Sequence, residues 1–109
     1  MNTTITTGTG RDTITAGAGD TIKSGAGNDS IIIGAATDVV VDAGEGKDTI
    51  TAAGNGASSA AGNGDDVIDL ASGATNATVN AGAGNDSIRV ATTGNQIALG
   101  AGTDTVSLG

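Results

Sequence analysis

The stretch GAGNDSI occupies residues 25–31 and returns, letter for letter, at 82–88. The copies begin 57 residues apart, which points to a shorter period between them. A β-branched residue recurs at Ile5, Ile14, Ile22, Ile31, Val40, Ile50, Ile68, Val79, Ile88, Ile97 and Val106, with Ala60 in the one remaining slot. The steps run from 8 to 11 residues, giving twelve units of about nine. Thr or Ser commonly flanks the apolar residue, as in TIT at 4–6, 13–15 and 49–51, and the intervals are rich in Gly, Asn and Asp. This pattern reads as short strand, turn, short strand. A helix is excluded, because no 3.6-residue apolar spacing appears and the glycine content opposes one.

The turns carry a longer rhythm. Every second one is an unbroken G-x-G-x-D: GTGRD at 8–12, GAGND at 25–29, GEGKD at 44–48, GNGDD at 62–66, GAGND at 82–86 and GAGTD at 100–104. The alternate turns are degenerate, reading GAGD at 17–20, GAATD at 34–38, GNGAS at 54–58, GATNA at 73–77 and ATTGN at 91–95. Successive even-turn aspartates are 17, 19, 18, 20 and 18 residues apart, so the structural repeat is a pair of nine-residue halves. Register is ambiguous over 52–64, AAGNGASSAAGNG, where the core residue shrinks to Ala60.

With six such turns in phase, residues 3–109 resemble the RTX (repeats-in-toxin) family, whose nonapeptide G-G-x-G-x-D-x-U-x folds as a calcium-binding parallel β-roll. The resemblance implies an all-β chain: a right-handed parallel β-roll, or two-sheet β-solenoid, of about six coils with ~18 residues each, the U side chains meeting between the sheets. It also implies calcium ions shared by loop carbonyls and carboxylates of successive coils. The metal-binding residues are then Gly8, Gly10, Asp12, Gly25, Gly27, Asp29, Gly44, Gly46, Asp48, Gly62, Gly64, Asp66, Gly82, Gly84, Asp86, Gly100, Gly102 and Asp104. On the other edge Asp20 and Asp38 form one further candidate pair, while Ser58, Ala77 and Asn95 only turn the chain. The sequence departs from the family pattern at the first glycine, replaced by Thr7, Ser24, Ala43, Ala61, Ala81 and Leu99.

The chemistry of these residues agrees with that reading. G-x-G permits left-handed backbone and close approach of carbonyl oxygens, and Asp supplies a hard anionic oxygen. Calcium takes six to eight oxygens, more than one turn offers, so two stacked turns complete a site. Six half-sites on one edge make about five Ca2+ sites within the chain, with a spare half at each end. The formal charge of −8 suits several cations and argues against nucleic acid or an anionic membrane as partner. With no aromatic residue and 20 glycines, apolar burial alone falls short of the ordering entropy, so folding is expected to be coupled to metal binding.

Other functions are disfavoured. The chain has no His, Cys or Tyr for acid–base or nucleophilic work, and no small-molecule substrate or enzymatic role is expected. GEGKD lacks the spacing and the Ser/Thr of a phosphate loop. No apolar stretch approaches membrane-spanning length, and the N-terminal residues lack the basic start and apolar run of a signal peptide. Ice binding through ranks of Thr is a minor alternative. It is weakened by Ile32, Val67, Asp69 and Arg89 on the even sheet and by Lys23, Val39, Val41 and Gln96, read as outward, on the odd sheet.

We therefore expect one repeat domain over residues 1–109 without evident caps, extracellular or at a cell surface, acting through the roll itself. Open strand edges at both ends favour a head-to-tail homo-oligomer, a filament or surface or matrix layer, with one more calcium at each junction. The alternative is a calcium-binding repeat module excised from a larger secreted adhesin, toxin or exoenzyme.

Overall fold

The computed structural model describes residues 3–34, 37–70, 74–91 and 94–108; the expected turn residues at 35–36, 73 and 92–93 lie outside them. Among these described residues twelve short strands follow one another: β1 (Thr4–Thr9), β2 (Thr13–Ala16), β3 (Thr21–Ala26), β4 (Ser30–Ile33), β5 (Val40–Asp42), β6 (Thr49–Ala52), β7 (Ser58–Ala60), β8 (Val67–Leu70), β9 (Thr78–Asn80), β10 (Ser87–Val90), β11 (Gln96–Ala98) and β12 (Thr105–Leu108). The odd strands form one six-stranded sheet and the even strands another, each in sequence order and each pairing parallel. Each coil gives one strand to each sheet, so the chain is a two-sheet parallel β-solenoid of six coils.

The alternation of exposed Thr or Ser with buried Ile explains the strands, since β-branched residues suit a half-buried pleated surface. On the even sheet, Ile14, Ile31, Ile50, Ile68 and Ile88 stack in register and are buried. A second inward column, Ala16, Ile33, Ala52, Leu70 and Val90, lies two residues on. The odd sheet answers with Ile22, Val41, Ser59 and Val79, flanked by Ile5 and Ile97 at the ends.

Two core positions differ from the sequence reading. Val41, not Val40, stacks on Ile22, and Val40 is 47% exposed. Ser59, not Ala60, stacks between Val41 and Val79, where it is buried while Ala60 is half-buried. Val39 and Val41 therefore point inward rather than outward. The outward readings of Lys23 and Gln96 hold.

The corrected register places all variation in coil length on one edge. Each odd-strand core residue lies seven positions before its aspartate: Ile5 and Asp12, Ile22 and Asp29, Val41 and Asp48, Ser59 and Asp66, Val79 and Asp86, Ile97 and Asp104. From each aspartate to the next odd-strand core residue the count varies through 10, 12, 11, 13 and 11. The even edge is kept constant and the odd edge absorbs insertions.

Candidate metal centre

The constant edge stacks the six G-x-G-x-D turns directly on one another. Isolated parallel bridges link Ala26 to Glu45, Glu45 to Asn63 and Asn63 to Ala83, so the middle residue of each G-x-G continues the sheet into the turn. All twelve expected glycines have positive φ. At Gly46 (φ 121°) a Cβ would also overlap the carbonyl oxygen of Gly27 in the preceding coil, so both conformation and packing require glycine there. The stacking brings the second-glycine carbonyls of Gly10, Gly27, Gly46, Gly64 and Gly84 against the next coil's backbone.

The aspartates form a directional ladder. Asp29 Oδ1 accepts the Asp12 N–H at 2.9 Å, Asp48 that of Asp29 at 2.9 Å, Asp66 that of Asp48 at 2.8 Å, Asp86 that of Asp66 at 2.9 Å, and Asp104 that of Asp86 at 2.9 Å. The second carboxylate oxygen is left over. Oδ2 of Asp12, Asp29, Asp48, Asp66 and Asp86 is buried with no hydrogen-bond partner. Burial pushes Asp48 up to about 6 against the opposing N–H of Asp29, with the neighbouring charges of Asp66 and Asp29 adding to the rise. Burial likewise raises Asp66 and Asp86. A column of buried anionic oxygens without donors is unstable unless protons or cations neutralise it.

A calcium ion fits this donor set. The unpartnered atoms are hard oxygens, five buried carboxylate Oδ2 atoms along six stacked turns whose second-glycine carbonyls lie against the next coil's backbone. Among the described residues no three acidic side chains converge on one point.

Among its described residues the opposite edge leaves no such orphans. Asp20 stacks on Val39, Ala57, Ala77 and Asn95, the odd-edge counterparts of the aspartate column. Both Asp20 oxygens are occupied, Oδ2 by the Gly17 N–H at 2.7 Å and Oδ1 by the Thr3 N–H at 2.9 Å, and these bonds, Gly17 first, lower its pKa. Asp38 is not brought to Asp20. It is exposed one position before Val39, in left-handed backbone (φ 56°), where it stacks with Gly19 and Gly56. Ser58 likewise lies beyond the slot, which Ala57 fills, whereas Ala77 and Asn95 occupy theirs. Asn95 Oδ1 accepts the Ala77 N–H at 2.9 Å, a neutral version of the aspartate ladder.

Two further stitches were not anticipated. On the outside of the acidic edge, Asn28 Oδ1 accepts the Lys47 N–H, Asp65 Oδ1 the Asn85 N–H and Asn85 Oδ1 the Thr103 N–H, each at 2.9 Å. The signal was present in the Asn or Asp preceding the column aspartate in GAGND and GNGDD. At the slot of the family's first glycine, the Thr7 hydroxyl donates to Ser24 O at 2.9 Å and the Ser24 hydroxyl to Ala43 O at 2.8 Å.

Fold and site together define a parallel β-roll whose one acidic edge is built from stacked G-x-G-x-D turns. The model of the RTX calcium-binding nonapeptide repeat matches residues 1–31, 20–40, 25–56 and 72–106, and the chain belongs to that family. No curated protein and no solved structure matches the chain. The unmatched residues 57–71 include Ser59, the weakest member of the core column. The chain is thus a calcium-binding RTX-type β-roll, a structural and non-catalytic repeat of a family whose proteins are typically secreted.

Proposed function

We propose that the chain is an extracellular structural module that calcium folds and that then stacks end to end. The observation carrying the calcium part is the set of five buried, unpartnered Oδ2 atoms. Bound calcium supplies the positive charge these oxygens lack; Asp12, Asp29, Asp48, Asp66 and Asp86, with carbonyls of the G-x-G turns, hold it between coils. The resulting stoichiometry is about five ions, with affinity in the ~10⁻⁴–10⁻³ M range of extracellular modules.

Stacking is supported by the last coil, where Val106 is 42% and Leu108 81% exposed, and by the first, where a Cβ at Gly8 or Gly10 would meet nothing. In the later G-x-G turns the same positions press against the preceding coil's carbonyls. The first coil is shaped to receive a preceding one, and a second copy's last coil, GAGTD at 100–104, has the matching turn. Such a contact is heterologous and propagates into a filament or layer. The same open faces support the second reading, a repeat module of a larger secreted protein whose further coils cover them.

Sedimentation and electron microscopy of the chain with and without calcium test the assembly. Calcium-dependent filaments, lost in the Asp104→Asn variant, which keeps all five unpartnered Oδ2 atoms, support stacking of copies. A calcium-loaded chain that stays monomeric at high concentration supports the module reading.

A further inference from the structure

Two asparagines are followed by glycine, Asn55–Gly56 and Asn63–Gly64, and the second pair lies within the acidic edge between Gly62 and Asp66. Asparagine is thermolabile, and glycine offers least hindrance to attack by its own amide nitrogen. In that reaction the Gly64 nitrogen bonds to Asn63 Cγ and loses its proton, while the side-chain nitrogen leaves as ammonia. Water then opens the cyclic imide at either carbonyl, leaving Asp or isoaspartate at position 63. One water is consumed, one ammonia is released, and no oxidant or reductant is needed.

Asn63 is exposed, so access of water does not limit the reaction. The backbone does. The Gly64 N–H donates to Ala83 O at 2.9 Å, the Asn63 N–H donates to Gly44 O at 2.9 Å, and Asn63 O accepts the Gly46 N–H at 3.0 Å. With its proton committed to the next coil, the Gly64 nitrogen is turned away from its own Asn63 side chain. We propose that Asn63 is a conditional self-modification site, closed while the acidic edge is ordered and open when it is not. The link to calcium rests on the calcium-coupled folding proposed above.

The modification has a structural consequence. Isoaspartate inserts one extra main-chain carbon between the bonds to Gly44 and Ala83, so residue 63 can no longer bridge both coils. A period without calcium is then recorded irreversibly as loss of refolding capacity. Asn55 has the same intrinsic chemistry and is also held, by the Gly56 N–H on Thr75 O at 2.9 Å and by Thr75 and Asn76 side chains on its Oδ1 at 3.0 and 3.1 Å.

The full chain is incubated in calcium, in chelator, and in chelator with urea, with circular dichroism and isoaspartate peptide mapping on each sample. Asn55 and Asn63 are expected to convert in urea, and order is expected to slow Asn63 on the order of tenfold or more. The chelator sample follows whichever state its dichroism resembles. One that stays ordered and unmodified contradicts calcium coupling and still supports protection by the fold. Wild-type recovery of β signal on restoring calcium should fall in step with isoaspartate at position 63. Asn63→Ala, the residue already present at the stacked slots Ala26 and Ala83, should keep it. Conversion of Asn63 as fast in the ordered chain as in urea, no conversion in urea, or full recovery after complete conversion overturns the proposal.

Discussion

The main-chain N–H of Asp48 donates to Oδ1 of Asp66 at 2.8 Å, yet Oδ2 of both residues is buried without a partner. One half of each carboxylate thus belongs to the fold and the other half is left without a donor.

Removing a mid-column carboxylate should therefore cost both functions. Asp66→Ala leaves the Asp48 N–H without its acceptor and removes one of the five unpartnered Oδ2 atoms. About one fewer ion and a calcium midpoint raised on the order of tenfold are expected. Asn95→Ala should cost about 1 kcal/mol for the bond to the Ala77 N–H and leave the ion count unchanged. Ser58→Ala, on an exposed position, should do neither. Calorimetric titration of the variants checks this asymmetry, and equal sensitivity on both edges contradicts it.

Two turns, at Gly46 and Gly34, should also differ in their need for glycine. Gly46→Ala combines a positive φ with overlap on Gly27 O, and a loss on the order of 3 kcal/mol or more is expected. Gly34→Ala meets nothing within 4 Å and has no positive φ, so its stability should change by less than about 0.5 kcal/mol. Urea unfolding in saturating calcium compares them. A tolerated Gly46→Ala contradicts the stacking described.

The acidic edge was legible in the sequence because its length never changes: stacked turns joined by an aspartate ladder stay in register only without insertions, so G-x-G-x-D repeats intact. The odd edge was misread for the converse reason. Extra residues between Ile33 and Val41 move the core slot one place past the expected Val40, and with it Asp38 falls outside the column of Asp20. Ser59 escaped because a search for apolar periodicity passes over a hydroxyl, although its register with Val41 and Val79 makes it a core residue. The ladder of carboxylate Oδ1 atoms on preceding N–H groups leaves no sequence signature beyond the aspartates themselves.

Ser59 is accordingly a site of improvement. Ser59→Val restores the β-branched column and removes a buried hydroxyl, and a gain of about 1 kcal/mol is expected without change in calcium stoichiometry. Thermal unfolding in calcium measures it, and a destabilised variant contradicts the assignment of this slot to the core.

The ion-free chain should respond to pH in a specific direction. Burial raises Asp48 from 3.8 to about 6, and raises Asp66 and Asp86 as well, so the folded state binds protons more tightly than the unfolded one. This contribution is fully present below the ordinary carboxylate pKa and is lost as pH rises through the folded value. In chelator, β structure should persist best near about pH 4 and fade by about pH 7, whereas saturating calcium should flatten the dependence. Stability in chelator that increases across this window contradicts the idea that the column needs neutralising.

Calcium titration at neutral pH, following ion stoichiometry by calorimetry and β content by circular dichroism on the same chain, tests the central claim most directly. The structure predicts a disordered chain in chelator that gains β signal cooperatively as about five ions bind, one for each orphaned Oδ2. A chain equally folded in excess chelator, with no calcium uptake, would contradict it.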